Sequence, residues 1–142
     1  MHAAEISLSA LDVEWRRLEI LADNLANIGT VRTASGHPYR AMRLISGPRV
    51  DFKKLLAEGG DESALSGVEV YDVAPMNLPP RQVYEPGNPQ ADSKGFVSYP
   101  GYDHAAEMTL LVKTERAYEA NVVALNTARQ MYLRAMEVGR SS

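Results

Sequence analysis

The sequence contains no cysteine among its 142 residues. A disulfide-bonded scaffold, a thiolate metal site and a cysteine nucleophile are therefore excluded. It also lacks any run of about 18 apolar residues, so it predicts no direct membrane insertion. Near its start, Glu5, Asp12 and Glu14 interrupt the apolar stretch that a secretory signal needs. We therefore expect a soluble chain without a cleaved signal peptide.

Clusters of basic residues are also missing. The 15 lysines and arginines are spread along the chain, and the formal net charge is −3. Nucleic acid and anionic lipid are bound through clustered basic residues, which this sequence does not have. Neither is an expected partner.

Signals for chemistry are missing as well. His2, His37 and His104 have no histidine three or four residues away, so a helical two-histidine metal site is excluded. No phosphate-binding loop, dinucleotide-binding glycine motif or nucleophile elbow occurs. We expect no catalytic residue, no cofactor, no metal and no small-molecule substrate. An enzyme with an unrecognised site is the weakest alternative.

The distribution of proline predicts the organisation of the chain. All eight prolines lie between residues 38 and 100, and both flanks are free of them. Because proline breaks helix interiors, this predicts a mainly α chain with a small β-rich middle. We assign residues 1–37 to an N-terminal helix with a connecting loop, 38–100 to a short-strand and turn region, and 101–142 to a long C-terminal helix.

The N-terminal flank has the apolar spacing of a helix that packs along a narrow seam. Its apolar positions alternate spacings of three and four: Leu8, Leu11, Trp15, Leu18, Ala22 and Leu25. We predict a helix from about residue 8 to about residue 27, with Ser9 and Asp12 as a capping box at its start.

The C-terminal flank repeats the pattern over a longer run. Its seam positions are Met108, Leu111, Glu115, Tyr118, Val122, Leu125, Arg129, Tyr132 and Met136. A second row of small residues lies beside them: Ala117, Ala120, Ala124, Ala128 and Ala135. Asp103 is the predicted N-cap of this helix and Gly139 its predicted stop.

The middle region predicts short strands separated by turns. The candidate strands are residues 39–45, 68–73, 81–84 and 95–99. Residues 58–66 read as a polar loop. Pro86-Gly87 and Asn88-Pro89 are turn signals.

The two seams allow two interpretations. They form an antiparallel coiled coil within one chain, or they meet helices of other subunits. The C-terminal helix has more apolar length than the N-terminal helix covers, and its row of alanines suggests a second contact face, which favours self-association. A soluble coiled-coil adaptor that binds a partner helix stays an alternative.

Four blocks of residues carry a family resemblance, in order along nearly the whole chain. Residues 23–27, DNLAN, resemble the NNLAN signature of flagellar rod, hook and hook-associated proteins. Thr30, Thr33, Gly36 and residues 38–40 are similar to the segment that follows it in FlgC-type rod proteins. Residues 84–97 resemble that family's YxPGHPxADxxGYV motif. Residues 107–108, 116–121 and 124–126 are similar to its C-terminal helix signature.

This resemblance implies a structural subunit of the proximal rod, the periplasmic driveshaft of the flagellar basal body. It implies that terminal helices polymerise the subunits and transmit torque for motility. It also implies export without a cleaved signal peptide, through the flagellar export apparatus. The implied partners are copies of the same chain and other flagellar rod subunits; another short rod subunit is the alternative.

We expect subunit contacts along both seams and at the asparagines that flank them. The candidate interface residues are Leu11, Trp15, Leu18, Ala22, Asn24, Leu25, Asn27, Met108, Leu111, Tyr118, Asn121, Val122, Leu125, Asn126 and Tyr132. The asparagines have the residue type that forms interhelical hydrogen bonds and sets register in coiled coils. The sequence departs from the family pattern at Asp23, His37, Asn88, Phe96 and residues 101–106.

Overall fold

Two long helices flank two small antiparallel sheets. The computed structural model describes residues 2–50 and 65–140. In chain order the elements are α1 (His2–Ala26), β1 (Met42–Val50), β2 (Leu65–Pro75), β3 (Arg81–Tyr84), β4 (Phe96–Tyr99) and α2 (His104–Arg140). This confirms the predicted order of helix, short strands and helix. In the described ranges no helix is long and apolar enough to cross a membrane.

Helix α1 begins six residues earlier than predicted, and the capping box at Ser9 is wrong. Ser9 lies inside the helix, where its hydroxyl donates to the Ile6 carbonyl oxygen at 2.7 Å. The Ser9 hydroxyl oxygen in turn accepts the backbone N–H of Val68 at 3.0 Å. The Ser9 hydroxyl, which the sequence pattern predicts as a helix cap, therefore bonds β2 instead.

The predicted start of α2 is confirmed, and its predicted end is wrong. The Asp103 carboxylate accepts the backbone N–H of Ala106 at 3.0 Å, which is N-cap geometry. The predicted stop at Gly139 is wrong, because the helix continues to Arg140. Glycine ends helices when it takes a positive φ, and Gly139 does not.

Strands β1 and β2 pair along most of their length, from Met42 opposite Pro75 to Val50 opposite Leu65. Both are longer than predicted, and β1 begins and ends later. Pro48 lies within β1 because a two-stranded sheet has only edge strands, where a missing backbone donor is tolerated. Of the predicted loop at 58–66, residues 58–64 lie outside the described residues, and the last two belong to β2.

The hairpin of β3 and β4 accounts for the motif at residues 84–97. The strands pair from Arg81 opposite Tyr99 to Tyr84 opposite Phe96, which confirms the first predicted strand and places the second at 96–99. Between them the Asp92 carboxylate accepts the backbone N–H groups of Phe96 at 2.9 Å and Lys94 at 2.8 Å. These N–H groups hold the pKa of Asp92 below its usual range.

A second carboxylate supports the same hairpin. The Asn88 amide, a departure from the family motif, donates to Glu85 at 2.7 Å. The Tyr99 hydroxyl donates to the same carboxylate at 3.1 Å. This hydrogen bond raises the pKa of the Tyr99 phenol, ahead of the smaller effect of desolvation. Asn88, which stands where the family motif has histidine, thus still offers a hydrogen-bonding side chain, and its amide is bonded to Glu85.

The core lies between α1, the first sheet (β1 and β2) and the start of α2, with one further buried position in β4 of the second sheet. Its buried apolar side chains are Val13, Leu21, Ala41, Leu44, Val97 and Tyr102. Leu21 lines a small cavity with Leu44 of β1 and Leu110 of α2. None of the six belongs to the predicted seams: Val13 and Leu21 lie on a different face of α1, and the other four lie outside the helices.

Replacing Gly101 with alanine is expected to destabilise the fold. A methyl group there would overlap the Pro79 carbonyl oxygen, so the backbone must shift, at a cost of about 2 kcal/mol. Gly87→Ala is the matched control, because an added methyl group at Gly87 meets nothing within 4 Å. Urea denaturation measures both changes. Equal stability of the two variants would contradict this account of residues 79–101.

Candidate assembly surface

The two helices lie side by side and run antiparallel. At one end the Asn24 side chain of α1 donates to Glu107 of α2 at 3.0 Å. Midway, the rings of Trp15 and Tyr118 contact each other, with centroids 6.1 Å apart. At the other end Ala3 and Ala4 line a groove of about 530 Å³ with the α2 side chains Leu125, Ala128, Arg129, Met131, Tyr132 and Ala135.

This register places the residues of α2 that follow Ala135 beyond the first described turn of α1. Helix α2 has 37 residues and α1 has 25. The first described turn of α1 reaches Tyr132 and Ala135 of α2. From residue 129 to residue 140 every α2 side chain is exposed.

The candidate interface residues fall into three groups by exposure. The half-buried group is Leu11, Leu18, Leu25, Asn27, Leu111, Tyr118, Asn121, Val122 and Leu125. The exposed group is Trp15, Ala22, Met108, Asn126 and Tyr132. Asn24 alone is fully buried, with 0% of its surface exposed. A subunit-contact role for all three groups stays a prediction.

Asn24 lies at the centre of a polar cluster that joins both helices to β1. Its amide nitrogen donates to the Met42 carbonyl oxygen and to Glu107, each at 3.0 Å. Its amide oxygen accepts the Met42 backbone N–H at 2.9 Å and the Tyr39 hydroxyl at 3.2 Å. All the hydrogen-bonding capacity of this side chain is therefore used inside one chain.

Glu107 provides the charge of this cluster. Its side chain is 1% exposed and forms an ion pair with Arg43, whose side chain is 28% exposed. Arg43 donates to both carboxylate oxygens, one of them at 3.0 Å. A buried carboxylate with a bidentate guanidinium and an amide partner is a paired charge, the form in which proteins retain charges in their interior.

Two tyrosines close the cluster. The Tyr102 hydroxyl donates to the Asn24 carbonyl oxygen at 2.5 Å. Burial, with smaller effects of Tyr39 and Glu107, raises the pKa of Tyr102 to about 12. Burial, followed by Asp23 and Glu107, also raises the pKa of Tyr39. Both phenols therefore stay protonated and act as hydrogen-bond donors at neutral pH.

The cluster has the properties of a structural joint. In residues 2–50 and 65–140, every buried side-chain nitrogen and oxygen atom has a hydrogen-bond partner. The same residues contain no group of three or more His, Cys, Asp or Glu side chains placed to hold a metal ion. Its geometry thus fixes how the helix pair meets the first sheet.

Sequence reasoning identified Asn24 but not its two charged partners. Asn24 does bond the other helix, whereas Asn121 donates to Ala117 of its own helix at 2.9 Å. Glu107 stands in the C-terminal block of the family resemblance, so a signal for it existed. Arg43 had no signal, because arginine on a two-stranded sheet ordinarily faces solvent.

Comparisons with known proteins cover nearly the full chain. The family "Flagellar basal body rod FlgEFG protein C-terminal" matches residues 93–138. The flagellar basal-body rod protein FlgC of Escherichia coli O6:H1 is 40% identical over 136 residues, 96% of this chain and 95% of the relative. FlgC of Salmonella typhimurium is 38% identical over the same shares. FlgC of Bacillus subtilis is 33% identical over an alignment of 146 positions, which covers 98% of this chain and 97% of the relative.

Proposed function

Because the chain belongs to the family of flagellar basal-body rod proteins named FlgC, we propose that it is a structural subunit of the proximal rod. It polymerises through its terminal helices into the periplasmic driveshaft that transmits torque for motility. This is a family of structural rod proteins and not of enzymes. Its partners in this proposal are copies of itself, other rod subunits and the flagellar export apparatus.

The observation that carries the proposal is the apolar surface that the helix pair leaves uncovered. Leu8 and Trp15 of α1 are each 53% exposed, and Met131 and Met136 of α2 are 66% and 52% exposed. Burying one such side chain stabilises an assembly by roughly 1.5–3 kcal/mol. Large exposed apolar side chains along two adjacent helices are typical of an association surface.

The exposed apolar surface of the helix pair indicates which parts of the chain take part in assembly. We assign assembly to residues 1–37 and 101–142, whose helices pair as an antiparallel coiled coil in the rod wall. Residues 38–100 form the small β-rich region outside the pair. The cluster around Asn24 and Glu107 supports this division, since it ties the region to both helices of the pair.

Deleting the gene in the bacterium that encodes it is expected to abolish swimming and leave basal bodies without a complete rod. Restoring the gene with an epitope tag between residues 140 and 142 should restore swimming and place the tag in purified hook–basal bodies. Normal swimming after deletion, with the tag absent from basal bodies, would contradict the proposal. A tag found only in cytoplasmic fractions would favour the coiled-coil adaptor.

A further inference from the structure

The last part of α2 combines exposed apolar side chains with positive charge. We call residues 129–140 the C-terminal segment. Every side chain in it is exposed, including Met131, Leu133 and Met136. It contains three arginines, Arg129, Arg134 and Arg140, against one glutamate, Glu137. None of the four forms an ion pair with another residue in the described ranges.

The outward side of α1 has the opposite charge. Its exposed residues at helical spacings of three, four and seven share one face, which we call the acidic face. The members are Glu5, Leu8, Asp12, Trp15, Arg16, Glu19 and Asp23. The acidic face thus carries four carboxylates, one guanidinium and two large apolar side chains. The Trp15 indole donates to Glu19 at 3.1 Å, which holds the ring beside a carboxylate.

We propose that the C-terminal segment of one copy packs on the acidic face of α1 of a second copy. The segment offers apolar side chains and positive charge, and the acidic face offers apolar side chains and negative charge. Opposite charges across an interface favour this pairing, and like charges disfavour both segment-to-segment and α1-to-α1 pairing. The inference rests on the proposed function and names the two faces that meet.

The lengths of the helices agree with this arrangement. Twelve helical residues span about 18 Å, and the 25 residues of α1 span about 38 Å. One segment therefore covers about half of the acidic face. Two different surfaces meet, so a copy that uses each of them for a different neighbour extends the contact into a ring or an open helical assembly.

Charge reversal tests the pairing in the full-length chain. Sedimentation velocity over a range of protein concentrations should show self-association that weakens as salt is added. Arg134→Glu and Glu19→Arg are each expected to weaken association roughly tenfold. The matched control is Arg116→Glu, which reverses an exposed arginine of α2 outside the segment and should leave association unchanged.

Mixing the two variants provides the decisive readout. Arg134→Glu and Glu19→Arg chains each present one altered and one native face, so both kinds of contact between the two different variants pair opposite charges. The equimolar mixture is expected to regain the association of the unaltered chain. Circular dichroism of each variant verifies that its helices are retained.

The cysteine-free sequence allows a direct check by cross-linking. Leu8→Cys and Leu133→Cys chains, mixed under oxidising conditions, should yield a disulfide-linked dimer of one of each. Leu78→Cys, an exposed leucine between the two sheets, replaces Leu8→Cys in the control mixture and should not cross-link.

Three results would overturn the inference: an unaltered chain that stays monomeric at every concentration, an Arg134→Glu variant that associates like Arg116→Glu, or no recovery in the mixture. None of these results contradicts the proposed function, which is tested separately by the swimming assay and by the presence of the tag in basal bodies.

Discussion

Replacing Leu125 with aspartate is expected to exclude the chain from the rod and abolish swimming. Leu125 is half-buried and lines the groove against Ala3 and Ala4, where α1 and α2 meet. A carboxylate there loses the apolar burial, worth roughly 1.5–3 kcal/mol, and must also be desolvated. Leu18→Asp, on the opposing seam, is expected to have the same effect. Swimming assays and immunoblots of purified basal bodies measure both.

Two control variants separate the loss of the seam from a general effect of mutation. Leu125→Met retains an apolar side chain of similar volume and should swim normally. Thr127→Asp introduces the same charge two residues further on, at an exposed position, and should swim as well. Hydrogen exchange should show the strands still protected in Leu125→Asp. Normal swimming of both seam variants would refute assembly through these helices.

Replacing Arg43 with methionine is expected to lower the free energy of unfolding by about 3 kcal/mol, because it leaves the Glu107 carboxylate buried without a counter-charge. Glu107 is 1% exposed, so water cannot take the place of the guanidinium. Urea denaturation followed by circular dichroism measures the change.

The chain contains a matched pair for comparison. Arg49 and Glu69 form an ion pair 3.7 Å long across β1 and β2, with side chains 51% and 45% exposed. Arg49→Met should therefore cost less than about 1 kcal/mol. Replacing both Arg43 and Glu107 with methionine should recover part of the loss seen with Arg43→Met alone, since no charge is then stranded. Similar costs for Arg43→Met and Arg49→Met would contradict the role of the cluster.

The helices were predictable because their signals are local. The proline-free flanks and the spacing from Leu8 to Leu25 depend only on residues within one or two turns. The errors arose where a distant group decided the outcome. Ser9 resembles a cap until Val68 is seen to donate to its hydroxyl. Pro48 appears to exclude a strand until β1 proves to be an edge.

The candidate surface was predictable only in part. The seams mark which residues are apolar, but α1 has a second buried face, through Val13 and Leu21, that the a/d pattern does not contain. Trp15 is exposed and Asn24 is buried because the first sheet and α2 cover different sides of α1. No spacing in the sequence encodes that division.

The sequence by itself therefore determined the order of the elements, the family and the absence of thiol chemistry, since each depends on residue types and on spacings along the chain. Only the tertiary structure decided that Glu107, Arg43 and Asn24 meet, and that α2 continues beyond the first described turn of α1 after Ala135. Asn24 and Glu107 are 83 positions apart, and the overhang depends on the register of two helices. Such long-range contacts are set by packing across the whole fold, which no local pattern records.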